Sequence, residues 1–235
     1  MNISGYLDYI KTPWGHLFYR LVWHNLEFEG KKILDFGSGF GVTANHLAGS
    51  NTVIAVEPAD ELRENRISDN SYVQMDGSID SLKGMDAGSF DVIVCHNVLE
   101  YVEDRADVIA EFHRLLKDGG ILSIVKHNKK GKIMHKAVFE NNIDEAMALL
   151  NGGKAVSQNF GMIDEYELND LKEWIADRFV LDKLYGIRTF FGIQPNSFKE
   201  ENDWEDKMFL LESAVEDDPV FSNVAFFQHL ILKKE

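Results

Sequence analysis

Three glycines spaced two apart follow an aspartate, and this segment carries the clearest chemical signal in the chain. Asp35 ends an apolar run, and Gly37, Gly39 and Gly41 follow at alternate positions. Glycine reaches turn conformations closed to other residues and lets a ligand lie against the backbone. Glu57 stands at the end of a second apolar run, where an acid can accept hydrogen bonds from both hydroxyls of a ribose. The pattern therefore predicts a nucleoside-binding turn.

The spacing of the glycines distinguishes between nucleoside ligands. A dinucleotide fingerprint, G-x-G-x-x-G, would place its third glycine at Val42, whereas this chain has it at Gly41. A carboxylate at Asp35 would repel a pyrophosphate but suits a ligand with an ammonium and a sulfonium. S-adenosylmethionine has both groups and no phosphate, so the sequence favours it as cofactor. The alternatives are a glycine-rich loop in an unrelated sheet protein and a non-catalytic, nucleoside-binding Rossmann-like protein.

Strand-like and helix-like segments alternate around these residues. The strands are predicted at 32–36, 52–56, 71–75, 90–95 and 120–126, and the helices between them at 42–48, 60–66 and 104–117. Such alternation with short links predicts a mostly parallel α/β sheet with helices on both faces. Ligands bind beyond the carboxyl ends of strands in these sheets, where Gly37, Glu57, Asp76 and His96 would lie.

Further elements are predicted on either side of this core. Residues 13–28 have helical periodicity ahead of the first strand, and the Asp118-Gly119-Gly120 segment reads as a helix stop before the fifth strand. After the fifth strand come a single extra helix at 132–150, a helix at 167–177, a strand at 179–187, a helix at 204–215 and a last strand at 224–232.

Composition limits the class of protein. The 235 residues suit one α/β domain, and the net charge of −15 argues against a broad nucleic-acid-binding face, so no DNA partner is expected. Cys95 is the single cysteine, which excludes a disulfide within the chain. No signal-peptide pattern and no apolar run of membrane-spanning length is present, so we expect a cytoplasmic protein. The sequence assigns no metal site and does not predict an oligomeric state.

With these motifs in place, residues 31–126 resemble the class I S-adenosylmethionine-dependent methyltransferases. The resemblance includes the D-x-G-x-G-x-G turn, Val56-Glu57-Pro58, Met75-Asp76-Gly77, Ser89-Phe90-Asp91-Val92-Ile93, Val98-Leu99-Glu100-Tyr101-Val102 and Leu116-Lys117-Asp118-Gly119-Gly120. It implies a seven-stranded Rossmann-like sheet with its last strand antiparallel.

The same resemblance implies a role for each candidate cofactor residue. The methionine portion would lie near the turn and the ribose beside Glu57, with the adenine beyond the third strand. The residues assigned in this way are Asp35, Gly37, Ser38, Gly39 and Gly41 in the turn, Glu57 and Pro58 at the ribose, Asp76, Gly77 and Ser78 at the adenine, and His96 at the methionine end.

A narrower resemblance covers nearly the whole chain. The sequence is similar to the bacterial tRNA carboxymethoxyuridine methyltransferases, which methylate a carboxylate on the wobble uridine. The matching segments are Thr12-Pro13-Trp14-Gly15-His16-Leu17, Cys95-His96-Asn97-Val98-Leu99-Glu100-Tyr101, Asn128, Met134-His135, Asn142, Asp144, Gly186-Ile187-Arg188, Pro219 and His229. The resemblance implies one methyltransferase domain over 1–235, with a helical cap at 1–30 and a helical insertion at 131–165 over the substrate mouth.

Two positions depart from that family. Phe18 stands where the family has an arginine that holds the cofactor carboxylate, so Arg20 or a water would have to replace it. Residues 10–24 are still expected to cover the cofactor. The lysine-rich loop that follows the extra helix in the family is reduced here to Lys154.

The methyl acceptor is the least determined part of the prediction. The candidate substrate-side residues are Arg188, which could hold a carboxylate with paired hydrogen bonds, together with His127, Asn128 and His135. The basic run 126–132 could attract phosphate or carboxylate. Two acceptors stay open: a carboxylate on a tRNA wobble nucleoside and a small cytoplasmic metabolite. A carboxylate acceptor needs no general base.

Overall fold

The computed structural model describes residues 3–153, 156–157, 161–162, 164–199 and 202–235. Its strands are β1 (Lys32–Phe36), β2 (Thr52–Glu57), β3 (Val73–Asp76), β4 (Phe90–His96), β5 (Leu116–His127), β6 (Val156–Ser157), β7 (Gly161–Met162), β8 (Phe179–Ile187) and β9 (Phe227–Lys234). Seven of them overlap the predicted positions, and two short strands, β6 and β7, were not predicted.

The α-helices fill the intervals between these strands. They are α1 (Ile3–Ile10), α2 (Pro13–His24), α3 (Val42–Leu47), α4 (Asp60–Glu64), α5 (Ile79–Leu82), α6 (Arg105–Leu115), α7 (Lys129–Met134), α8 (Ile143–Leu150), α9 (Leu168–Ile175), α10 (Trp204–Ser213) and α11 (Pro219–Ser222). No helix in these described stretches is long and apolar enough to cross a membrane.

Seven strands form one sheet in the order β3-β2-β1-β4-β5-β9-β8. β1 pairs in parallel with β2 and β4, β2 with β3, and β4 with β5. The sheet is mostly parallel, with antiparallel strands last in the chain. This confirms the predicted fold class. β6 and β7 form a separate antiparallel pair.

The chain divides into two compact units, each made of three chain segments. The glycine-turn unit contains Glu27–Val125, Tyr166–Lys183 and Leu230–Glu235, and the insertion unit contains Met1–Leu26, Lys126–Glu165 and Leu184–His229. The candidate cofactor residues all belong to the glycine-turn unit. The substrate-side candidates all belong to the insertion unit.

The core of the glycine-turn unit explains why its strands form. Ile33, Leu34, Ala55, Ile93 and Val94 have no exposed surface. Continuous apolar runs of this kind are typical of parallel strands that are covered on both faces. Burying one such side chain contributes about 1.5–3 kcal/mol, so these runs fix the strands that carry Asp35 and Glu57.

Three predictions about element boundaries were wrong. The helix predicted at 132–150 is broken into α7, a π-helical turn at His135–Phe139, and α8. Asn141 has a positive φ of 50°, and the Asn142 side chain accepts a hydrogen bond from the N–H of Glu145 to begin a new helix. The helix predicted at 104–117 ends at Leu115, and β5 starts at Leu116, ahead of the Asp118-Gly119-Gly120 segment. At the N-terminus, α1 precedes the predicted helix, which ends at His24.

Candidate functional site

The turn between β1 and α3 has the conformation that its glycines predict. Gly37, Gly39 and Gly41 all have positive φ, and the N–H groups of Gly37 and Ser38 donate to the carbonyl of Val56 at 2.8 and 3.1 Å. A Cβ on Gly41 would come within 2.0 Å of the Tyr72 hydroxyl oxygen. A Cβ on Gly39 would meet no atom within 4 Å, so the turn leaves open space beside its backbone. We call residues 35–41 the glycine turn.

Glu57 ties the glycine turn to the end of β2. Its side chain is 6% exposed. One carboxylate oxygen accepts from the N–H of Gly39 at 2.9 Å, and the other accepts from the N–H of Ala59 at 3.0 Å. A carboxylate oxygen can accept more than one hydrogen bond, so Glu57 can position the turn and still accept from a ligand hydroxyl.

Asp35 is a buried carboxylate with an unused oxygen. The side chain is 3% exposed, and its Oδ2 has no hydrogen-bond partner among the described residues. Burial raises the pKa of Asp35 from 3.8 to about 7, which the N–H of Ala44 partly opposes and the charge of Glu57 reinforces. Since this pKa is higher in the folded chain, the ionised group destabilises the free protein increasingly as the pH rises from about 4 to about 7. A cationic ligand would offset this cost.

The residues assigned to the adenine differ in exposure and packing. Across β2 and β3, Glu57 pairs in register with Asp76, so their side chains follow neighbouring strand ends. The Asp76 side chain is 74% exposed and forms an ion pair with Arg63 at 3.0 Å. Ser78 stands at the start of α5, and a Cβ on Gly77 would come within 1.8 Å of the Ser81 hydroxyl oxygen. The geometry leaves Asp76 accessible to a ligand.

The end of β4 holds His96 and a residue that our sequence reasoning did not select. The His96 Nε2 lies 2.8 Å from the Ser123 hydroxyl oxygen, so β5 fixes the imidazole. The next residue, Asn97, has a positive φ of 55°, and its side-chain oxygen is buried without a hydrogen-bond partner among the described residues. Asparagine tolerates this strained conformation better than most residues. A strained polar residue at a strand end is a further candidate for ligand contact.

The substrate-side candidates in the insertion unit differ in the contacts that already hold their side chains. Asn128 is 4% exposed, begins α7 through the N–H of Lys130, and donates to the carbonyls of Asn223 and Ala225. It is therefore a structural residue in this geometry. The His127 ring packs 4.8 Å from that of Phe227. The His135 Nδ1 is hydrogen-bonded to the carbonyl of Gly192, and burial, with the charge of Arg188, lowers the pKa of His135.

The basic run 126–132 is not the exposed cationic loop that the sequence suggests. Lys126 is 2% exposed and donates to the carbonyl of His127 at 2.7 Å. Lys132 is 6% exposed and forms an ion pair with Glu165 at 2.7 Å. Lys130 is exposed, and Lys129 is half-buried. Lys154 lies outside the described residues.

Phe18, at the position of the family arginine, and Arg20, its expected replacement, both make contacts within the insertion unit. Phe18 is 7% exposed and its ring centroid lies 4.9 Å from that of Phe227. Arg20 donates to Asp206 at 2.7 Å and to Glu205 at 3.3 Å. Its charge is already neutralised there. Among the described residues, no group of three or more His, Cys, Asp or Glu side chains is placed to hold a metal ion.

Sheet order and glycine turn together define a Rossmann-like methyltransferase fold. Residues 34–124 match the family described as methyltransferase domain. A solved S-adenosylmethionine-dependent methyltransferase from Thermotoga maritima superposes with a TM-score of 0.65 at 14% identity, covering 100% of this chain and 97% of that one. A second, from Mesorhizobium loti, has a TM-score of 0.57 at 16% identity and covers 92% of this chain and 97% of that one.

Curated relatives match less than half of this chain. A ubiquinone biosynthesis O-methyltransferase from Pseudomonas aeruginosa is 33% identical over 113 residues, which cover 43% of this chain and 47% of that relative. One from Xanthomonas oryzae pv. oryzae is 34% identical over 110 residues, which cover 44% and 46%. The chain thus spans about half the length of the curated relatives it matches. Residues 34–124 are thus similar to a methyltransferase domain, as the sequence predicts, and the narrower tRNA resemblance stays a prediction.

Proposed function

We propose that this chain is an S-adenosylmethionine-dependent methyltransferase with its cofactor held on the glycine turn. The observation that carries the proposal is the buried, raised-pKa carboxylate of Asp35, which retains a free oxygen beside a glycine backbone. A phosphate-bearing nucleotide would be repelled there, whereas a cationic nucleoside would be stabilised. The match of residues 34–124 to the methyltransferase domain supports the same assignment.

Each candidate residue then has a defined task. The bound cofactor supplies an electrophilic methyl group on its sulfonium. Glu57 accepts hydrogen bonds from the ribose, and Asp35 interacts with the cationic portion. Asp76, Gly77 and Ser78 flank the adenine, and His96, held by Ser123, borders the methionine end. Much of the rate enhancement would come from holding the acceptor oxygen in line with the transferred methyl group.

The acceptor that we propose is a carboxylate-bearing small molecule. The relatives named above transfer methyl groups to oxygen in ubiquinone biosynthesis, which favours an oxygen acceptor. A carboxylate is already ionised at neutral pH and needs no base. Arg188 and Lys199 are two basic side chains of the insertion unit that suit such an anion, as argued below. The burial of Lys126 and Lys132 weakens the case for a tRNA phosphate surface.

A tRNA wobble carboxylate is the second candidate. It is favoured by the near full-length resemblance to the tRNA carboxymethoxyuridine methyltransferases, including Cys95–Tyr101 and Gly186–Arg188. The two candidates differ in salt dependence, since each tRNA phosphate contact adds about 0.7–0.9 to the slope of log affinity against log salt. A small carboxylate would make no such multiple contacts.

Binding of S-adenosylhomocysteine is expected to strengthen several-fold between pH 6 and pH 7.5. The pKa of Asp35 is about 7, so a rising fraction of the free protein carries the ionised carboxylate that favours the ligand ammonium over this range. The substitution Asp35→Asn should weaken binding and remove this pH dependence. Isothermal titration calorimetry at four pH values measures both effects.

The exposed Asp69 provides the matched control, because Asp69→Asn removes a carboxylate of the same unit outside the glycine turn. Its binding curve should follow that of the unmodified chain at each pH. Binding that does not change with pH in the unmodified chain would remove Asp35 from the proposed role. Titration with NAD in place of S-adenosylhomocysteine is expected to give no heat of binding. NAD binding without S-adenosylhomocysteine binding would overturn the proposed function.

A further inference from the structure

Two basic side chains of the insertion unit, the half-buried Arg188 and the buried Lys199, lie close enough for their charges to interact. Arg188 directly follows β8, and Lys199 follows the 3₁₀ turn Asn196–Phe198. Lys199 is 1% exposed, which is rare for a lysine. Burial, together with the charge of Arg188, lowers the pKa of Lys199 to about 8. The fold thus holds two like charges near each other, and it buries that of Lys199.

Arg188 has hydrogen-bonding capacity that the described residues do not use. Its backbone has a positive φ of 66°, a strained conformation for an arginine. Its Nε is buried and has no hydrogen-bond partner among the described residues. The guanidinium carbon lies 4.4 Å from the centroid of the Phe226 ring and 5.7 Å from that of Phe191. The aromatic rings orient the guanidinium but leave its N–H donors available.

Lys199 is oriented by two other aromatic rings. Its Nζ donates to the side-chain oxygen of Asn196 at 2.9 Å and lies 5.6 Å from the Trp14 ring centroid and 5.2 Å from that of Phe139. An ammonium has three donors, and this contact uses one of them. The His135 ring contacts one aromatic ring from each group. It stacks on Phe139, beside Lys199, at 4.6 Å and contacts Phe226, beside Arg188, edge-on at 5.2 Å.

The carboxylates nearest to this pair are already engaged. Glu212 has no exposed surface, and its oxygens accept from the N–H groups of Thr189, Phe190 and Phe191. Glu140 is shared between Lys136 at 2.9 Å and His135 at 3.4 Å. The charge of Glu212 interacts with that of Arg188, but a second buried cation at Lys199 is costly without a further counter-charge. A bound anion would remove this cost.

We propose that Arg188 and Lys199 form an oxyanion-binding site in the insertion unit. The planar guanidinium suits a two-oxygen contact, and Lys199 contributes a second charge to the same ligand. The ligand class is an oxyanion, either a carboxylate or a phosphate. As a statement about the methyl acceptor, this inference rests on the proposed function. As a statement about anion binding, it can be tested without the cofactor.

The experiment measures the melting temperature of the full chain at pH 7 and fixed ionic strength. Inorganic phosphate or acetate is added in increasing concentration, and potassium chloride serves as the reference salt. Both oxyanions are expected to raise the melting temperature of the unmodified chain. The substitution Lys199→Met should raise the melting temperature in chloride, because it removes a buried cation, and should increase the half-maximal oxyanion concentration at least tenfold. Arg188→Met should increase the half-maximal oxyanion concentration by a similar factor. It tests the proposal independently if Lys199→Met does not fold.

Lys11→Met is the matched control, since it removes an exposed lysine from the same unit and should respond to oxyanions like the unmodified chain. The oxyanion effect should fade between pH 7 and pH 9.5, as Lys199 loses its proton. The titratable groups that face the pair are Tyr9, His135, Glu140 and Glu212. A response to both would support a general oxyanion site, a response to phosphate alone would assign the site to phosphate, and a response to acetate alone would assign it to carboxylates.

The proposal is overturned if neither oxyanion stabilises the unmodified chain beyond chloride, or if Lys199→Met and Arg188→Met respond as strongly as Lys11→Met. Titration of the same variants with S-adenosylhomocysteine separates this result from the proposed function. If Lys199→Met still binds S-adenosylhomocysteine but no longer responds to oxyanions, the cofactor and the oxyanion are bound by different residues. In the unmodified chain, an oxyanion response without S-adenosylhomocysteine binding would count against the proposed function alone.

Discussion

Replacing Glu57 with alanine is expected to weaken S-adenosylhomocysteine binding by at least tenfold. The substitution removes the ribose acceptor and also the bonds that Glu57 accepts from Gly39 and Ala59, which hold the glycine turn in place. Charge-assisted hydrogen bonds contribute about 1.5–3 kcal/mol each, and 1.4 kcal/mol corresponds to a factor of ten. Isothermal titration calorimetry of the purified variant measures the change.

Two further variants make this result specific. Glu57→Gln keeps one carbonyl oxygen for the turn and should give an intermediate affinity. Glu61→Ala removes an exposed acid from α4 and should leave binding unchanged. Equal dissociation constants for the Glu57→Ala variant and the unmodified chain would show that Glu57 is a structural residue without a part in ligand binding.

Replacing Glu212 with alanine is expected to lower the free energy of unfolding by about 3 kcal/mol or more. Three neighbouring backbone N–H groups, at Thr189, Phe190 and Phe191, donate to this buried carboxylate at 2.9, 2.8 and 3.1 Å. A buried donor left unpaired costs about 1–3 kcal/mol. Urea denaturation followed by circular dichroism measures the loss.

Glu212→Gln retains one acceptor oxygen and should lose less stability than Glu212→Ala. Asp217→Ala removes an exposed acid a few residues along the chain and should stay within about 0.5 kcal/mol of the unmodified protein. Because Glu212 orders the segment after Arg188, its removal should also weaken the oxyanion response. A fully stable Glu212→Ala variant would contradict this reading of the contacts.

The glycine turn and the parallel sheet could be predicted because they follow from local rules. Apolar runs that are buried on both faces specify parallel strands, and glycines at positive φ specify the turn. Asp35 and Glu57 could be selected because their positions at strand ends are fixed by these same patterns. Here each local preference agrees with the fold.

The insertion unit was less predictable because its lysines depend on distant partners. Lysine is normally exposed, and no local pattern shows that Lys132 pairs with Glu165 or that Lys199 lies between Trp14 and Phe139. The break before α8 did have a local signal, since Asn142 followed by Glu145 is a typical helix start. Helical periodicity on both sides concealed that break.

Methyl transfer by the full chain is the measurement that tests the central claim most directly. The chain is incubated with S-adenosylmethionine labelled in its methyl group and either a small-molecule extract or total tRNA from a strain lacking the gene. We predict label in the small-molecule fraction, released by mild alkali as expected of a carboxyl methyl ester, and lost when Glu57→Ala replaces the unmodified chain. Label in tRNA would instead support the second acceptor. Binding of S-adenosylhomocysteine without transfer of label to either fraction would contradict the proposal that the chain is a methyltransferase.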